Sequence, residues 1–400
     1  MASRSCHSFR AVRVPLLDLS QQYSELRDEI RRETDEVLES QHFILGPKGA
    51  ALEKAICELT GAKHAIGVSS GTDALLAILM ALGVGRGDAV IVPSFTFFAT
   101  AGCVARVGAT PVFADIDLAT FNITAETISE CIERRFTKRG DNYFDRSGNR
   151  LRAIVPVHLF GLCCEMEAIC ALAQSHDLLV IEDAAQAIGA EYPSRDGSRH
   201  AGAIAEIGYY SFYPTKNLGA AGDAGMIICR DEALAVTLQA CRQHGMESRY
   251  FHDFVGGNFR LDELQAAVLN VKLPHLSRWA TARRKIADFY RAKLGNYLEF
   301  QSEPYQNRAV TDHHVYHQFV ARTSRRDELR EHLTRREIGS AIYYPLGLHE
   351  QKCFSDLGNK KGDLPATERA TAEILALPIY PELPRDAQQY VVDVIAEFFQ

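Results

Sequence analysis

The 400-residue chain has no apolar run of the roughly 18 residues that a membrane-spanning helix needs. It has no long lysine or arginine run, and its formal net charge at pH 7 is −7, so the basic footprint of a nucleic-acid groove or an anionic-membrane patch is missing. Its ten cysteines include no CxxC pair, and only Cys163 and Cys164 are adjacent. That excludes a zinc ribbon and argues against a disulfide framework; scattered thiols of this kind read as small core residues kept reduced in a cytoplasmic protein. There is no internal repeat and no low-complexity segment. The first 17 residues lack acids and carry Ser3, Arg4, Ser5 and Arg10, but they have no apolar centre, which excludes a secretory signal. Residues 1–13 read as a short N-terminal extension.

What is present is an ordinary globular balance, 46% hydrophobic and 24% charged residues, in a chain long enough for a large domain and a smaller one. Short β-rich runs alternate with helical patterns from about residue 63 to 230 and predict an α/β domain with a mostly parallel sheet covered by helices. The predicted strands are 65–68, 89–93, 111–116, 153–157, 178–182, 207–213 and 225–229, with helices at 72–82 and 164–175. The strands are almost uninterrupted apolar runs, as burial on both faces requires. The polar stretch 137–152 reads as a surface excursion, and a helical pattern at 261–273, broken by Pro274, resumes over 278–294. These patterns place a large domain at 14–294 and a small α+β domain at 295–400, the latter with strands at 317–321 and 341–344 around a helix at 327–336.

The chemistry-bearing residues fall at the predicted strand ends. Ser69-Ser70-Gly71-Thr72 lies between a strand and a helix start, where free N–H groups and the helix dipole favour a phosphate, although a plain N-cap needs the same residues. Gly83-Val84-Gly85-Arg86-Gly87 follows a helix and precedes a strand, the reverse of a dinucleotide fingerprint, and reads as a turn. Asp183 sits at the carboxyl end of an apolar strand, the end at which α/β sheets bind ligands. Lys216 follows in a loop holding Pro214 and several glycines. Such a lysine and carboxylate suit pyridoxal phosphate: the amine can form a Schiff base with the aldehyde, and the carboxylate can keep the ring nitrogen protonated. Asp312-His313-His314 with His317 lacks a four-ligand set, so no metal is assigned.

Ordered segments strengthen this reading: FILGP at 43–47, SSGTDAL at 69–75, PSFTFFATA at 93–101, HLFG at 158–161, EDAAQAIGA at 182–190, SFYPTKNLG at 211–219, GNFRLDELQAA at 257–267, YYPLGLHEQ at 343–351 and LPIYPEL at 377–383. Over about 14–400 the chain resembles the sugar-nucleotide aminotransferases of the DegT/DnrJ/EryC1/StrS family, with the aspartate-aminotransferase-like fold (fold type I). The resemblance implies that Lys216 carries the cofactor and shuttles the proton, and that Asp183 holds the pyridinium proton. It implies that Gln186 lies near the ring's phenolic oxygen, that Phe97 stacks on the ring, and that Gly71, Thr72 and Ser211 bind the phosphate. It assigns Asn258 to the phosphate of a neighbouring subunit, hence a homodimer, and assigns Phe43, Thr215, Arg260, Tyr343, Tyr344 and His349 to the sugar nucleotide.

The implied activity is transfer of an amino group from an amino acid, L-glutamate by analogy, to a keto-sugar nucleotide. Two positions depart from the family's usual pattern, Tyr343 for histidine and Ala224 for glycine. The Tyr343-Tyr344-Pro345 form resembles members that act on a 3-keto-hexose, and the motifs are shared among UDP-, dTDP- and GDP-sugar enzymes. A pyridoxamine-dependent dehydratase of the same fold would carry histidine in place of Lys216. A non-catalytic sensor that keeps fold and cofactor is the alternative from a different class.

Overall fold

The computed structural model describes residues 13–400; most of the expected 1–13 extension lies outside them. The helices are α1 (Ser20–Ser40), α2 (Pro47–Thr60), α3 (Gly71–Ala81), α4 (Ala99–Arg106), α5 (Ala125–Arg135), α6 (Met166–Ser175), α7 (Glu232–Cys241), α8 (Glu263–Lys272), α9 (Leu276–Leu294), α10 (Arg326–Arg335), α11 (Pro365–Glu373) and α12 (Arg385–Phe399). The strands are β1 (His64–Val68), β2 (Asp88–Pro93), β3 (Thr110–Ala114), β4 (Thr137–Arg139), β5 (Asn142–Phe144), β6 (Arg150–Ile154), β7 (Leu179–Asp183), β8 (Glu191–Ser194), β9 (Gly197–His200), β10 (Ile207–Ser211), β11 (Gly225–Cys229), β12 (Met246–Ser248), β13 (Phe251–His252), β14 (Glu299–Phe300), β15 (Phe319–Arg322) and β16 (Ile374–Leu377). No helix among the described residues is long and apolar enough to cross a membrane.

The central sheet runs β1-β11-β10-β7-β6-β2-β3. β10, β7, β6, β2 and β3 pair in parallel, and β11 is antiparallel to both β1 and β10. The apolar strands are buried as the sequence pattern predicts, with helices packed over two hydrophobic cores. Reversing β11 brings its start, Gly225, opposite both Val68, where β1 ends, and Ser211, where β10 ends. Three strand termini therefore meet at one point on the sheet's carboxyl edge.

A third core joins Val14, Ile286, Tyr290, Leu294, Phe319, Leu333, Leu375, Leu377, Val391 and Ile395. Helix α9 serves two cores, since Leu276 and Ala280 pack in the first while Ile286 to Leu294 pack in the third. The change of packing thus falls inside α9 rather than after residue 294. Val14 pairs with Ile338, so the start of the described chain is fastened to the C-terminal body.

Two local expectations are corrected. The polar excursion 137–152 contains the hairpin β4/β5, with β4 exposed and β5 half-buried, which joins β6 through Phe144 and Arg150. Its strands carry too short an apolar pattern to betray them: only Tyr143 reaches the core, and Lys138 over Tyr143 and Arg139 over Phe144 cover the outer side. The run 341–344 is not a strand: Ala341 makes a single bridge to Ala376, and β16 completes the small sheet β14-β15-β16. The Tyr344 ring packs instead over Phe95 and Phe97, with Tyr343 against Tyr344, and Pro345 offers no N–H to prolong a ladder.

The meeting point of the three strands has no spare room. A Cβ on Gly225 would stand 2.5 Å from the Ser70 carbonyl carbon and 2.8 Å from Gly71 N, both backbone atoms that a rotamer change cannot move. Gly225→Ala is expected to lower unfolding free energy by about 2 kcal/mol or more, measured as a fall in the denaturant midpoint at unchanged slope.

Candidate active site

At the end of β1, Ser70 caps α3 by accepting the Asp73 N–H at 3.0 Å, and Ser69 Oγ donates to the Asp73 carboxylate at 2.6 Å. A helix start leaves N–H groups without intrahelical acceptors. Those of Gly71 and Thr72 find no internal partner among the described residues. A Cβ on Gly71 would lie 2.7 Å from Ser211 Cβ, so the glycine lets the end of β10 press against this turn. The result is a hydroxyl and two backbone donors at a helix N-terminus, a combination that holds a phosphate.

Asp183 ends β7 and is only 5% exposed. Its carboxylate accepts from Thr100 Oγ1 at 3.0 Å and from Ala185 N at 3.1 Å. Tyr209, its register partner on β10, is fully enclosed, and burial together with the Asp183 charge pushes its phenol well above the ordinary value. Donors on two sides thus make a buried carboxylate affordable.

Lys216 sits in a loop that folds tightly on itself: its N–H donates to Tyr213 O at 2.8 Å, and a Cβ on Gly219 would fall 2.2 Å from Pro214 O. Asn217 Nδ2 donates to Val315 O at 2.7 Å, tying the loop to the segment before β15. Burial pulls the Lys216 amine down to about 8, with the Asp183 charge opposing the shift. The same region holds His317 neutral, well below its usual value, through burial and the neighbouring Lys216 and Arg283 cations.

Gln186 lies between these groups. Its Oε1 accepts from Phe160 N at 2.7 Å and its Nε2 donates to Tyr344 Oη at 3.1 Å. Tyr344 packs edge-on to Phe95 with ring centroids 5.9 Å apart and lies 6.4 Å from Phe97. Phe97 is 57% exposed, a flat apolar surface open to a ring.

A family model matches residues 24–396, described as the DegT/DnrJ/EryC1/StrS aminotransferase family. The chain belongs to the DegT/DnrJ/EryC1/StrS aminotransferase family. It is 46% identical to a "pleiotropic regulatory protein" of Geobacillus stearothermophilus, over 97% of this chain and 99% of that one. It is 41% identical to the UDP-N-acetyl-3-dehydro-alpha-D-glucosamine 3-aminotransferase of Acidithiobacillus ferrooxidans, over 96% of this chain and 97% of the other. Among solved structures, DesV of S. venezuelae, determined in complex with a ketimine intermediate, superposes with a TM-score of 0.87 at 37% identity, covering 96% of this chain and 98% of that one.

For a DegT/DnrJ/EryC1/StrS protein the residues present fit pyridoxal phosphate on this structure's own terms. There is an amine that burial partly neutralises, a carboxylate with its own donors in place, and a turn whose space a Cβ would fill. Of the residues expected to contact substrate, Tyr344 lies beside Phe97 and Tyr343 packs edge-on to Tyr344. Phe43 O accepts from Glu263 N at 2.9 Å, and Arg260 bridges to Val68 at the end of β1. Thr215 is half-buried next to Lys216, and Asn258 is exposed beyond a bridge to Gln243.

His349 departs from the expectation. It is 3% exposed, with Nδ1 2.7 Å from Ser94 Oγ and Nε2 3.4 Å from Glu368, so both nitrogens are engaged inside the fold and neither is left for a sugar hydroxyl. Sequence reasoning passed over Thr100, Tyr209 and Phe160. Thr100 stands within the quoted PSFTFFATA segment, and Tyr209 sits on the predicted strand beside Asp183, but nothing in their spacing marks their partners.

The lysine shift has a definite sign. Below pH 8 the amine is charged whether folded or unfolded, and the fold bears the full cost of burying it; between about 8 and the ordinary 10.5 only the unfolded chain holds the proton, so stability rises with pH across that window. Lys216→Met should therefore stabilise the cofactor-free protein at pH 7 by at most about 3 kcal/mol. The gain should fade by pH 10.5, as read from paired denaturation curves.

Proposed function

We propose that this protein is a pyridoxal-phosphate-dependent aminotransferase that moves an amino group from L-glutamate to a keto-sugar nucleotide, yielding 2-oxoglutarate and an aminosugar nucleotide. The observation that carries the reading is the partly neutralised Lys216 amine placed with the donor-backed Asp183 carboxylate on the sheet edge where Gly71 and Ser211 meet. The cofactor, when bound, supplies an aldehyde for amines and a ring that delocalises negative charge.

The chain's own residues do the rest. Burial draws the Lys216 amine down from the ordinary lysine value toward neutrality, which suits a group that accepts and returns a proton. Asp183, fixed by Thr100 and Ala185, presents a charge-assisted acceptor for a protonated ring nitrogen. Gly71, Thr72 and Ser211 take the phosphate, and Phe97 gives a stacking face. Tyr343 and Tyr344, with Phe43, Thr215 and Arg260, are assigned to the nucleotide sugar.

Amination at C3 is favoured by the names of several relatives, among them the A. ferrooxidans 3-aminotransferase and the dTDP-3-amino-3,4,6-trideoxy-alpha-D-glucose transaminase of Streptomyces venezuelae, 38% identical over 96% of this chain. A homodimer is part of the reading: Asn258 is exposed on its own subunit, and Phe43, Ile44, Leu45, Tyr250, Phe251 and Val255 present apolar surface to solvent. Free cysteines throughout the described residues suit a cytoplasmic location. The relative named as a pleiotropic regulatory protein supports a second reading, a sensor that binds cofactor without exchanging amino groups.

The two readings part on one spectrum. With L-glutamate alone, the wild type is expected to lose its cofactor-bound visible band and release 2-oxoglutarate. Lys216→Ala should show no such band, and Asp183→Ala should slow the exchange by at least about 100-fold. A wild type that binds pyridoxal phosphate but leaves glutamate and other amino acids unchanged would establish the sensor.

A further inference from the structure

Hydrogen bonding around Gln186 has a direction that ordinary amide ambiguity does not blur. The Phe160 backbone N–H can only donate, so the Gln186 atom facing it at 2.7 Å is the carbonyl oxygen. The atom 3.1 Å from Tyr344 Oη is then the amide nitrogen, which also can only donate. Tyr344 is therefore the acceptor in that bond. Its own proton points elsewhere, and no internal acceptor takes it among the described residues. Burial also pushes the phenol above its ordinary value, so the proton stays on the oxygen.

The surroundings leave few directions for that proton. The ring is fixed edge-on against buried Phe95, flanked by Tyr343 at 6.0 Å and by exposed Phe97 at 6.4 Å. The Asp183 charge is close enough to disfavour ionisation of the phenol. The hydroxyl thus belongs to the same pocket as the reacting groups.

We propose that Tyr344 is an obligate hydrogen-bond donor to the keto oxygen of the bound substrate, its donor direction set by the one-way chain from Phe160 N–H through Gln186. This rests on the aminotransferase reading and deepens it. A carbonyl oxygen gains negative charge as nitrogen adds to its carbon, and a donor already aimed at it binds the transition state better than the ground state. The phenol donates and keeps its proton. Tyr344 is on this account a catalytic residue, while Gln186 acts on the keto oxygen only through it.

Two variants separate the hydroxyl from the ring and from its orientation. Tyr344→Phe keeps the aromatic packing and removes the donor. Gln186→Glu keeps the phenol, but its carboxylate can only accept, so the Tyr344 hydroxyl turns to donate its hydrogen bond to that carboxylate while keeping its proton. Both are expected to lower kcat for amination of a keto-sugar nucleotide about 100-fold with KM changed less than about threefold, and the double variant should be no slower than the slower single one. A readout free of cofactor and catalysis comes from 13Cζ-tyrosine labelling of the apo-protein, in which the resonance missing from Tyr344→Phe identifies the residue. In Gln186→Glu that resonance should move toward the tyrosinate position.

A Tyr344→Phe enzyme with kcat within threefold of wild type overturns the proposal, as do multiplying losses in the double variant or an unmoved resonance. If the wild type aminates no keto-sugar nucleotide, the aminotransferase reading fails on its own. The labelled resonance then still decides whether Tyr344 points its proton away from Gln186.

Discussion

Two adjacent carboxylates, Glu182 and Asp183, are buried at the end of β7, and the architecture around the site follows from what they require. A buried carboxylate is tolerable only if donors meet it. Glu182 accepts from His158 Nε2 at 2.9 Å, from Gly202 N at 2.8 Å and from Ala205 N. The Cys164 N–H donates to His158 Nδ1, which fixes the imidazole as its Nε2–H tautomer. Successive side chains of a strand point to opposite faces, so Asp183 faces the other way and collects Thr100 from α4 and the Ala185 N–H. One dipeptide thereby fastens the 158–164 turn and the 201–205 loop behind the sheet, and α4 in front of it. His158 N also donates to Asp183 O at 3.0 Å, so the turn that satisfies the structural carboxylate also locks the backbone of the functional one.

Close approach is the second constraint, and it acts through glycine. Gly71 against Ser211, Gly225 against Ser70 and Gly219 against Pro214 are contacts in which an added methyl group meets another part of the chain at well under van der Waals distance. They lie where β1 and β10 end, where β11 starts and within the Lys216 loop. The phosphate turn and the lysine loop are consequently one packed unit. Ala224, at the position where the family resemblance leads one to expect glycine, is buried and its carbonyl accepts from the Phe212 N–H at 2.8 Å, so its methyl is accommodated inside the core.

Much of this was legible in the sequence because apolar runs and carboxyl-end polar residues are local signals. Strands β1, β2, β3, β7, β10 and β11 were predicted within a few residues, and Asp183, Ser211 and Lys216 fell at the strand ends and loop that the parallel sheet demands. The errors have a shared physical origin. Hairpin β4/β5 is polar and only half-buried, β16 is a four-residue strand whose partner lies 50 residues upstream or more, and Tyr343-Tyr344 reads as strand by composition while the Tyr344 ring answers to Phe95 and Phe97. His349 shows the same limit for site residues: a resemblance names a position, but only the fold shows that Ser94 and Glu368 occupy both of its nitrogens. Non-local pairing is invisible to periodicity.

The distribution of apolar surface bears on why the site opens where it does. The Lys216 amine is lowered by desolvation, yet in one chain the wall beside Phe97 and Tyr213 is open to water. Exposed Phe43 and Ile44 are carried on a segment paired to Asp262 and Glu263, and exposed Tyr250, Phe251 and Val255 on the β12/β13 hairpin and the loop after it. Solvated apolar groups in such number are costly unless they are covered part of the time. In the proposed homodimer, a second copy would cover them and draw water away from the wall beside Phe97 and Tyr213. The Lys216 amine is already drawn down by burial inside one chain, so on that proposal the covering copy would act in the same direction as the fold itself, by removing water from around the charge.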